Sequence, residues 1–157
     1  MQPVSRATVQ AFYEAYGSQD PARLAAFLDD DIRWMISGPV DVLRFCGQRR
    51  GKAAVLEVIE HLVPSTFTVT GFAPETMLID GDQVATLSTL AGQLIEGRRS
   101  IRYRIAHFLR FRDGKLTEFC SVIDSFDAAE QVLGHAINTS LAEAPADLAT
   151  RSDRIAL

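Results

Sequence analysis

Apolar residues in the first part of the chain recur with helical spacing. Between residues 5 and 16 they fall three or four positions apart, which places them in one stripe on a helix that ends at Gly17. Asp20 followed by Pro21 is typical of a helix start, with the aspartate as the N-cap. The predicted helices cover residues 5–16, 20–28 and 51–62.

Extended runs separated by turn residues follow after Pro64. They cover residues 66–72, 75–79, 83–95, 100–112 and 116–124, and a last helix covers residues 127–133. One further strand is predicted earlier in the chain, over residues 32–36. Asp80-Gly81 and Asp113-Gly114 are typical of tight hairpin turns. Helices first and an antiparallel meander afterwards predict an α+β fold. We expect one domain over residues 1–138, and a tail over residues 139–157 that is partly disordered or packed on a dimer.

The strand over residues 100–112 has one apolar and one arginine-rich face. Its apolar face, with Tyr103, His107 and Leu109, is expected to point inward. A two-residue turn at Asp113-Gly114 would pair Phe111 with Leu116. A tight turn at Gly97 would set the pairing between the strands over residues 83–95 and 100–112. These registers pair Ser88 with His107, Leu90 with Ile105, His107 with Cys120, Ile105 with Val122, and Tyr103 with Asp124.

The predicted inner face therefore combines a histidine, a carboxylate, a phenol, a hydroxyl and a thiol. The same register also places Glu118 inside, and a β-bulge after Phe119 would shift the pairing and move Cys120 and Asp124 outward. A partly buried histidine and a carboxylate of raised pKa suit general acid–base chemistry, and Tyr103 suits donation to an oxyanion.

Each of these residues also has a purely structural interpretation. His107 could be a core histidine hydrogen-bonded to Ser88 or to backbone. Asp124 could cap the last helix, and Cys120 could be a buried structural thiol. The arginines from Arg98 to Arg112 are expected to form a solvated or dimer-facing surface, with phosphate or nucleic-acid binding as the weaker alternative.

Composition narrows the classes of function. The chain has 157 residues, of which 47% are hydrophobic and 23% charged, with a formal net charge of -4. These values are typical of a globular domain and disfavour binding to nucleic acid or an anionic membrane. No run is long enough for a membrane span, so a cytoplasmic location is expected. Cys46 and Cys120 fit neither a disulfide framework nor a zinc site, and no cofactor is expected.

Several segments in order resemble one known family. They are Phe12-Tyr13-Glu14-Ala15-Tyr16, residues 27–34, the loop from Gly47 to Gly51, and residues 103–119 leading to Asp124. Over residues 4–134 the chain resembles a SnoaL-like domain of the nuclear transport factor 2-like superfamily. The resemblance implies a cone-shaped α+β barrel, in which a curved, mostly antiparallel sheet wraps around N-terminal helices. It also implies an apolar pocket and a homodimer formed through the sheet.

The resemblance does not fix one reaction, because the superfamily includes ketosteroid isomerases, polyketide cyclases, limonene epoxide hydrolases and dehydratases. The oxyanion tyrosine of the isomerases falls at Phe12, their general base near Ile36, and their second oxyanion acid at His107. The hydrolases' Arg and Asp on the middle strand correspond to residues 85–88, and their final aspartate falls nearest Ser121. Neither mechanism is therefore matched in full.

We expect a small, largely apolar ligand and cofactor-free isomerisation, cyclisation, dehydration or hydration. His107 would carry the proton, Asp124 would orient it or act as a second acid or base, and Tyr103 and Tyr16 would donate hydrogen bonds. The residues expected to line the pocket are Phe12, Tyr16, Trp34, Ser88, Leu109 and Cys120. The alternative is a non-catalytic ligand-binding or dimerisation module of the same fold.

Overall fold

The computed structural model describes residues 3–138, so the predicted tail over residues 139–157 lies outside the described residues. The helices are α1 (Arg6–Gly17), α2 (Pro21–Ala25), α3 (Lys52–Glu57), which continues into a π-helical turn (Val58–Leu62), and α4 (Ser125–Leu133). The strands are β1 (Leu28–Ser37), β2 (Gly47–Arg50), β3 (Phe67–Asp80), β4 (Gln83–Leu94), β5 (Ser100–Arg112) and β6 (Lys115–Ile123).

All six strands belong to one curved sheet in the order β2-β1-β6-β5-β4-β3. Neighbouring strands are antiparallel except β1 and β6, which run parallel. The sheet does not close, so β2 and β3 are its edges. The predicted α+β fold is confirmed, with the helices before β3 preceding the antiparallel meander.

The helix ends follow the predicted capping chemistry. The Ser5 side chain accepts a hydrogen bond from the Thr8 amide at the start of α1, and Asp20 accepts from the Ala22 and Arg23 amides at the start of α2. Gly134 adopts φ +80° where α4 ends. Helix α2 is shorter than predicted, because Leu28 already belongs to β1.

One face of the sheet packs against the helices and forms the core. Along β5 the burial alternates strictly, with Tyr103, Ile105, His107 and Leu109 inside. Helix α1 covers this face, and its Phe12 ring packs edge-on against Phe111. The alternation correctly predicted which face of β5 points inward.

The predicted register between β5 and β6 is wrong beyond its first pairs. Phe111 pairs with Leu116 as predicted, but a bulge leaves Thr117 as the extra residue of β6, and Arg110 pairs with Glu118. His107 therefore pairs with Ser121 instead of Cys120, and Ile105 pairs with Ile123. Cys120 and Asp124 consequently point away from the core.

The β4–β5 hairpin is offset by two residues from the predicted pairing. Thr86 pairs with His107, Ser88 with Ile105 and Leu90 with Tyr103. The Ile95 amide donates to the Thr66 carbonyl, so this residue leaves the ladder and the turn is wider than predicted. An even offset preserves the facing of each side chain, and Ser88 is still buried.

Candidate functional site

A narrow cavity lies between the end of α1 and the inner face of the sheet. Tyr16 and Gln19 border it on the helix side, Val63 on the π-helical turn, Val69 and Phe72 on β3, and Tyr103, Ile105 and Ser121 on the sheet floor. The centre of a water molecule can reach about 40 Å³ of it. That space holds a few water molecules, since each needs roughly 10–15 Å³.

The entrance is bounded by side chains that are only partly buried. Tyr16, Gln19, Val63, Val69 and Phe72 all have intermediate exposure. Phe72 lies on the edge strand β3, between the two register shifts at Val69/Gly71 and Pro74/Thr76. An irregular edge strand is less restrained than a central one, so the entrance is the part of the cavity best able to widen.

Two phenol groups are the main hydrogen-bonding groups of the cavity. Among the described residues, the hydroxyls of Tyr16 and Tyr103 have no hydrogen-bond partner, and both side chains line the cavity. Burial raises the pKa of both hydroxyls above its usual range, because desolvation disfavours the phenolate. Both phenols are therefore protonated donors at neutral pH.

No charged side chain lines the cavity within residues 3–138. Its remaining polar groups are the Ser121 hydroxyl and the Gln19 amide, and the rest of its lining is mainly aliphatic and aromatic. Burial of an ion against such walls would be costly without a partner of opposite charge. The electrostatics of the cavity therefore favour an uncharged occupant.

His107 lies beside the cavity in a buried hydrogen-bonded group. The Tyr13 hydroxyl is 2.7 Å from Thr86 Oγ1 and 3.1 Å from His107 Nδ1. Burial lowers the pKa of His107 to about 3, because desolvation disfavours the imidazolium. The imidazole is therefore neutral at physiological pH, and it does not line the cavity.

Three buried polar atoms near this group have no hydrogen-bond partner in the described part of the chain. They are His107 Nε2, Ser88 Oγ and Trp34 Nε1. The expected bond between His107 and Ser88 is thus absent. The His107 ring instead contacts the rings of Tyr16 and Phe119, at centroid distances of 5.8 Å and 4.8 Å.

Asp124 does not join His107. It is exposed at the N-cap of α4, where its carboxylate accepts a hydrogen bond from the Asp127 amide. The predicted pairing of Asp124 with Tyr103 is wrong because the Thr117 bulge shifts β6, and the Asp124 amide donates to the Arg104 carbonyl. The structural interpretation of Asp124 as a helix cap is correct.

The other predicted site residues are distributed between the core and the outer face. Cys120 is on the outer face of the sheet, partly exposed, so its predicted inward position is wrong. Phe12, Leu109, Trp34 and Ser88 are buried but do not border the cavity. Trp34 stacks on Phe119 with the ring centroids 3.6 Å apart.

Tyr13, Thr86 and Gln19 were not predicted as members of the site. Tyr13 was recognisable only as part of the apolar stripe of α1, although a phenol in that stripe needs a partner when buried. Thr86 shares the inner face of β4 with Ser88, two positions along the strand. No signal in the sequence marked Gln19.

The described residues were also compared with what a metal site and a membrane-spanning helix require. Within residues 3–138, no three His, Cys, Asp or Glu side chains are grouped so that they could hold a metal ion. Over the same residues, no helix is both long and apolar enough to cross a membrane.

The sequence model of the SnoaL-like domain family matches residues 9–119 of the chain. This match covers most of α1, helices α2 and α3, most of the sheet and every side chain of the cavity except Ser121 and Ile123, and it ends before α4. The chain belongs to the SnoaL-like domain family. None of the curated proteins compared with it is similar enough to count as a match.

Solved structures agree with this membership. A protein from Rhodopseudomonas palustris that is proposed to be an isomerase is 32% identical, with a TM-score of 0.77 over 84% of this chain and 100% of that one. An NTF2-like protein of unknown function from Burkholderia pseudomallei is 25% identical, with a TM-score of 0.70 over 80% and 94%. An epoxide hydrolase from M. tuberculosis is 20% identical, with a TM-score of 0.65 over 81% and 87%.

Proposed function

We propose that this SnoaL-like protein binds a small, uncharged, largely apolar molecule in its cavity and holds an acceptor oxygen of that molecule with Tyr16 and Tyr103. The observation that carries the proposal is the pair of protonated phenol hydroxyls, neither of which has a partner in the described chain. A carbonyl oxygen accepts two hydrogen bonds, so it would satisfy both donors.

Binding requires the cavity to enlarge. A cavity of about 150 Å³ accommodates benzene, whereas the space here is about 40 Å³. The partly exposed side chains of Phe72, Val69 and Val63 would move apart as the ligand enters. Apolar contact with the walls supplies most of the affinity in such a site, and the phenols supply orientation.

Acetophenone and ethylbenzene test the proposal, because they differ mainly in whether a carbonyl or a methylene follows the ring. An NMR titration of the amide signals should show acetophenone binding more tightly. Tyr16→Phe and Tyr103→Phe should each weaken acetophenone binding by about threefold to tenfold, which corresponds to one hydrogen bond, and leave ethylbenzene unaffected. Equal affinities for the two probes in the unsubstituted protein would contradict the proposal.

Acid–base catalysis by His107 is the second candidate function. It is favoured by the unpartnered Nε2 atom and by the contact between the imidazole and the Tyr16 ring. It is disfavoured by the low pKa of His107 and by the exposed position of Asp124. The same acetophenone samples, prepared in D₂O, test it: catalysed exchange of the methyl protons that is lost in His107→Asn would support a base at this position.

A homodimer remains part of the proposal. The outer face of the sheet has an apolar patch formed by Met35, Cys120, Phe108, Leu78 and Val122, here called the outer patch. Phe108 is 54% exposed and Val122 46% exposed, and Leu78, Phe108, Cys120 and Met35 lie in one row across the strands. Pairing of two copies through this patch would bury it. The cytoplasmic location stays a prediction.

A further inference from the structure

Three residues other than glycine have left-handed backbone conformations in the described chain. They are Gln19, Arg98 and Asp113, with φ of +54°, +48° and +51°. Arg98 and Asp113 lie in hairpin turns next to Gly97 and Gly114, and type I′ turns, one of the two favoured hairpin types, require positive φ at both central positions. The turn itself therefore accounts for Arg98 and Asp113.

Gln19 lies in a different setting. It follows the end of α1, at the position where a left-handed residue commonly closes a helix and where glycine or asparagine is usual. A glutamine there is strained, because its Cβ approaches the backbone. Such strain persists where the surrounding structure imposes it, and it concentrates at ligand sites.

The two neighbours of Gln19 have structural tasks, but its own side chain has none. The Ser18 hydroxyl donates to the Ala15 carbonyl, and the Asp20 carboxylate caps α2. The Gln19 amide has no hydrogen-bond partner among residues 3–138, and Gln19 is one of the partly exposed residues that line the cavity. A glycine would relieve the backbone strain but would remove this amide.

We propose that Gln19 is a specificity-determining residue whose amide hydrogen-bonds to a polar group at the outer end of the ligand. This inference rests on the proposed function. It defines the ligand class more closely: an uncharged molecule with an apolar body, an acceptor oxygen that reaches the phenols, and a hydroxyl or second carbonyl near the entrance. The amide both donates and accepts, so either outer group satisfies it.

The probes for this inference are acetophenone and para-hydroxyacetophenone, which adds a hydroxyl opposite the carbonyl. The unsubstituted protein should bind the hydroxylated probe about threefold to tenfold more tightly than acetophenone. Gln19→Met, which keeps the side-chain length and the backbone strain, should abolish this preference. Gln19→Gly should abolish it as well.

Thermal unfolding separates the backbone from the amide. Gln19→Gly should raise the midpoint of unfolding by about 2 to 4 °C through relief of strain, and Gln19→Met should leave it unchanged. Arg98→Gly is the matched control, because it relieves the same kind of strain in a turn that does not border the cavity. It should keep the full preference for the hydroxylated probe.

The outcomes distinguish this inference from the function on which it rests. If acetophenone fails to bind the unsubstituted protein, the proposed function is contradicted and the inference falls with it. If both ketones bind but Gln19→Met keeps the preference for the hydroxylated probe, only the role of Gln19 is contradicted. An absence of any preference in the unsubstituted protein would overturn the role of Gln19 as well.

Discussion

At the scale of single residues, the Tyr13 hydroxyl joins α1 to two strands of the sheet. It contacts Thr86 on β4 and His107 on β5, and all three side chains are buried. One hydroxyl thus satisfies two buried polar groups that have no other partner in the described part of the chain. Unpaired buried groups cost more than the net value of the bond itself.

Tyr13→Phe should therefore lower the free energy of unfolding by about 1 to 3 kcal/mol, because it leaves Thr86 and His107 Nδ1 unpaired. Urea denaturation followed by circular dichroism measures this change. Tyr103→Phe is the matched control, since it removes a buried phenol hydroxyl that has no partner among residues 3–138, and it should change stability far less. Similar losses in the two variants would show that the Tyr13 hydrogen bonds contribute nothing specific.

At the scale of secondary-structure elements, the outer patch distinguishes the two faces of the sheet. If it pairs two copies, Phe108→Asp with Val122→Asp should yield a monomer, because each copy would bring two carboxylates into the buried interface without partners of opposite charge. Light scattering coupled to size-exclusion chromatography measures the mass. Ile95→Asp is the control, since Ile95 is 52% exposed but lies in the β4–β5 loop. A monomeric unsubstituted protein would contradict the dimer.

The strands differ in how well the sequence predicted them. Alternation along β5 predicted its inner face, because burial on one side imposes a period of two. The inward position of Glu118 in the unbroken register indicated a bulge, with Cys120 and Asp124 moved outward, but it was expected after Phe119 and lies at Thr117. Its position was not predictable, since one extra residue in a short strand leaves both flanking alternations intact. Strand β2 was not predicted, because its Gln48 and its arginines show no alternation of apolar and polar residues. Its pairing with β1 depends on backbone hydrogen bonds, which leave no such pattern in the sequence.

At the scale of the whole molecule, the cavity depends on how side chains from distant segments pack. Tyr16 and Tyr103 were predicted as donors because each lies on an inward face. Which inward residues border empty space, and which fill the core as Leu109 and Phe12 do, depends on packing that no local pattern encodes. The resemblance to the family implied an apolar pocket, but it gave no indication that the space between these side chains is only about 40 Å³.

Burial of His107 should make the stability of the whole molecule depend on pH. The pKa of this imidazole is about 3 in the folded protein and about 6.5 in the unfolded chain. Between these values the unfolded chain binds more protons, so falling pH favours unfolding. The contribution of the neutral His107 to the free energy of unfolding is complete above about pH 6.5, and it is lost progressively as the pH falls towards 3.

Chemical denaturation at pH 7.0, 6.0 and 5.0 tests this linkage above the range where most carboxylates titrate. The free energy of unfolding should fall by up to about 1.4 kcal/mol for each pH unit below the unfolded pKa. In His107→Asn that slope should be nearly absent, because asparagine keeps a polar group near Tyr13 but does not titrate. A slope that persists in His107→Asn would mean that other groups cause the acid sensitivity, and that His107 is not held neutral by burial.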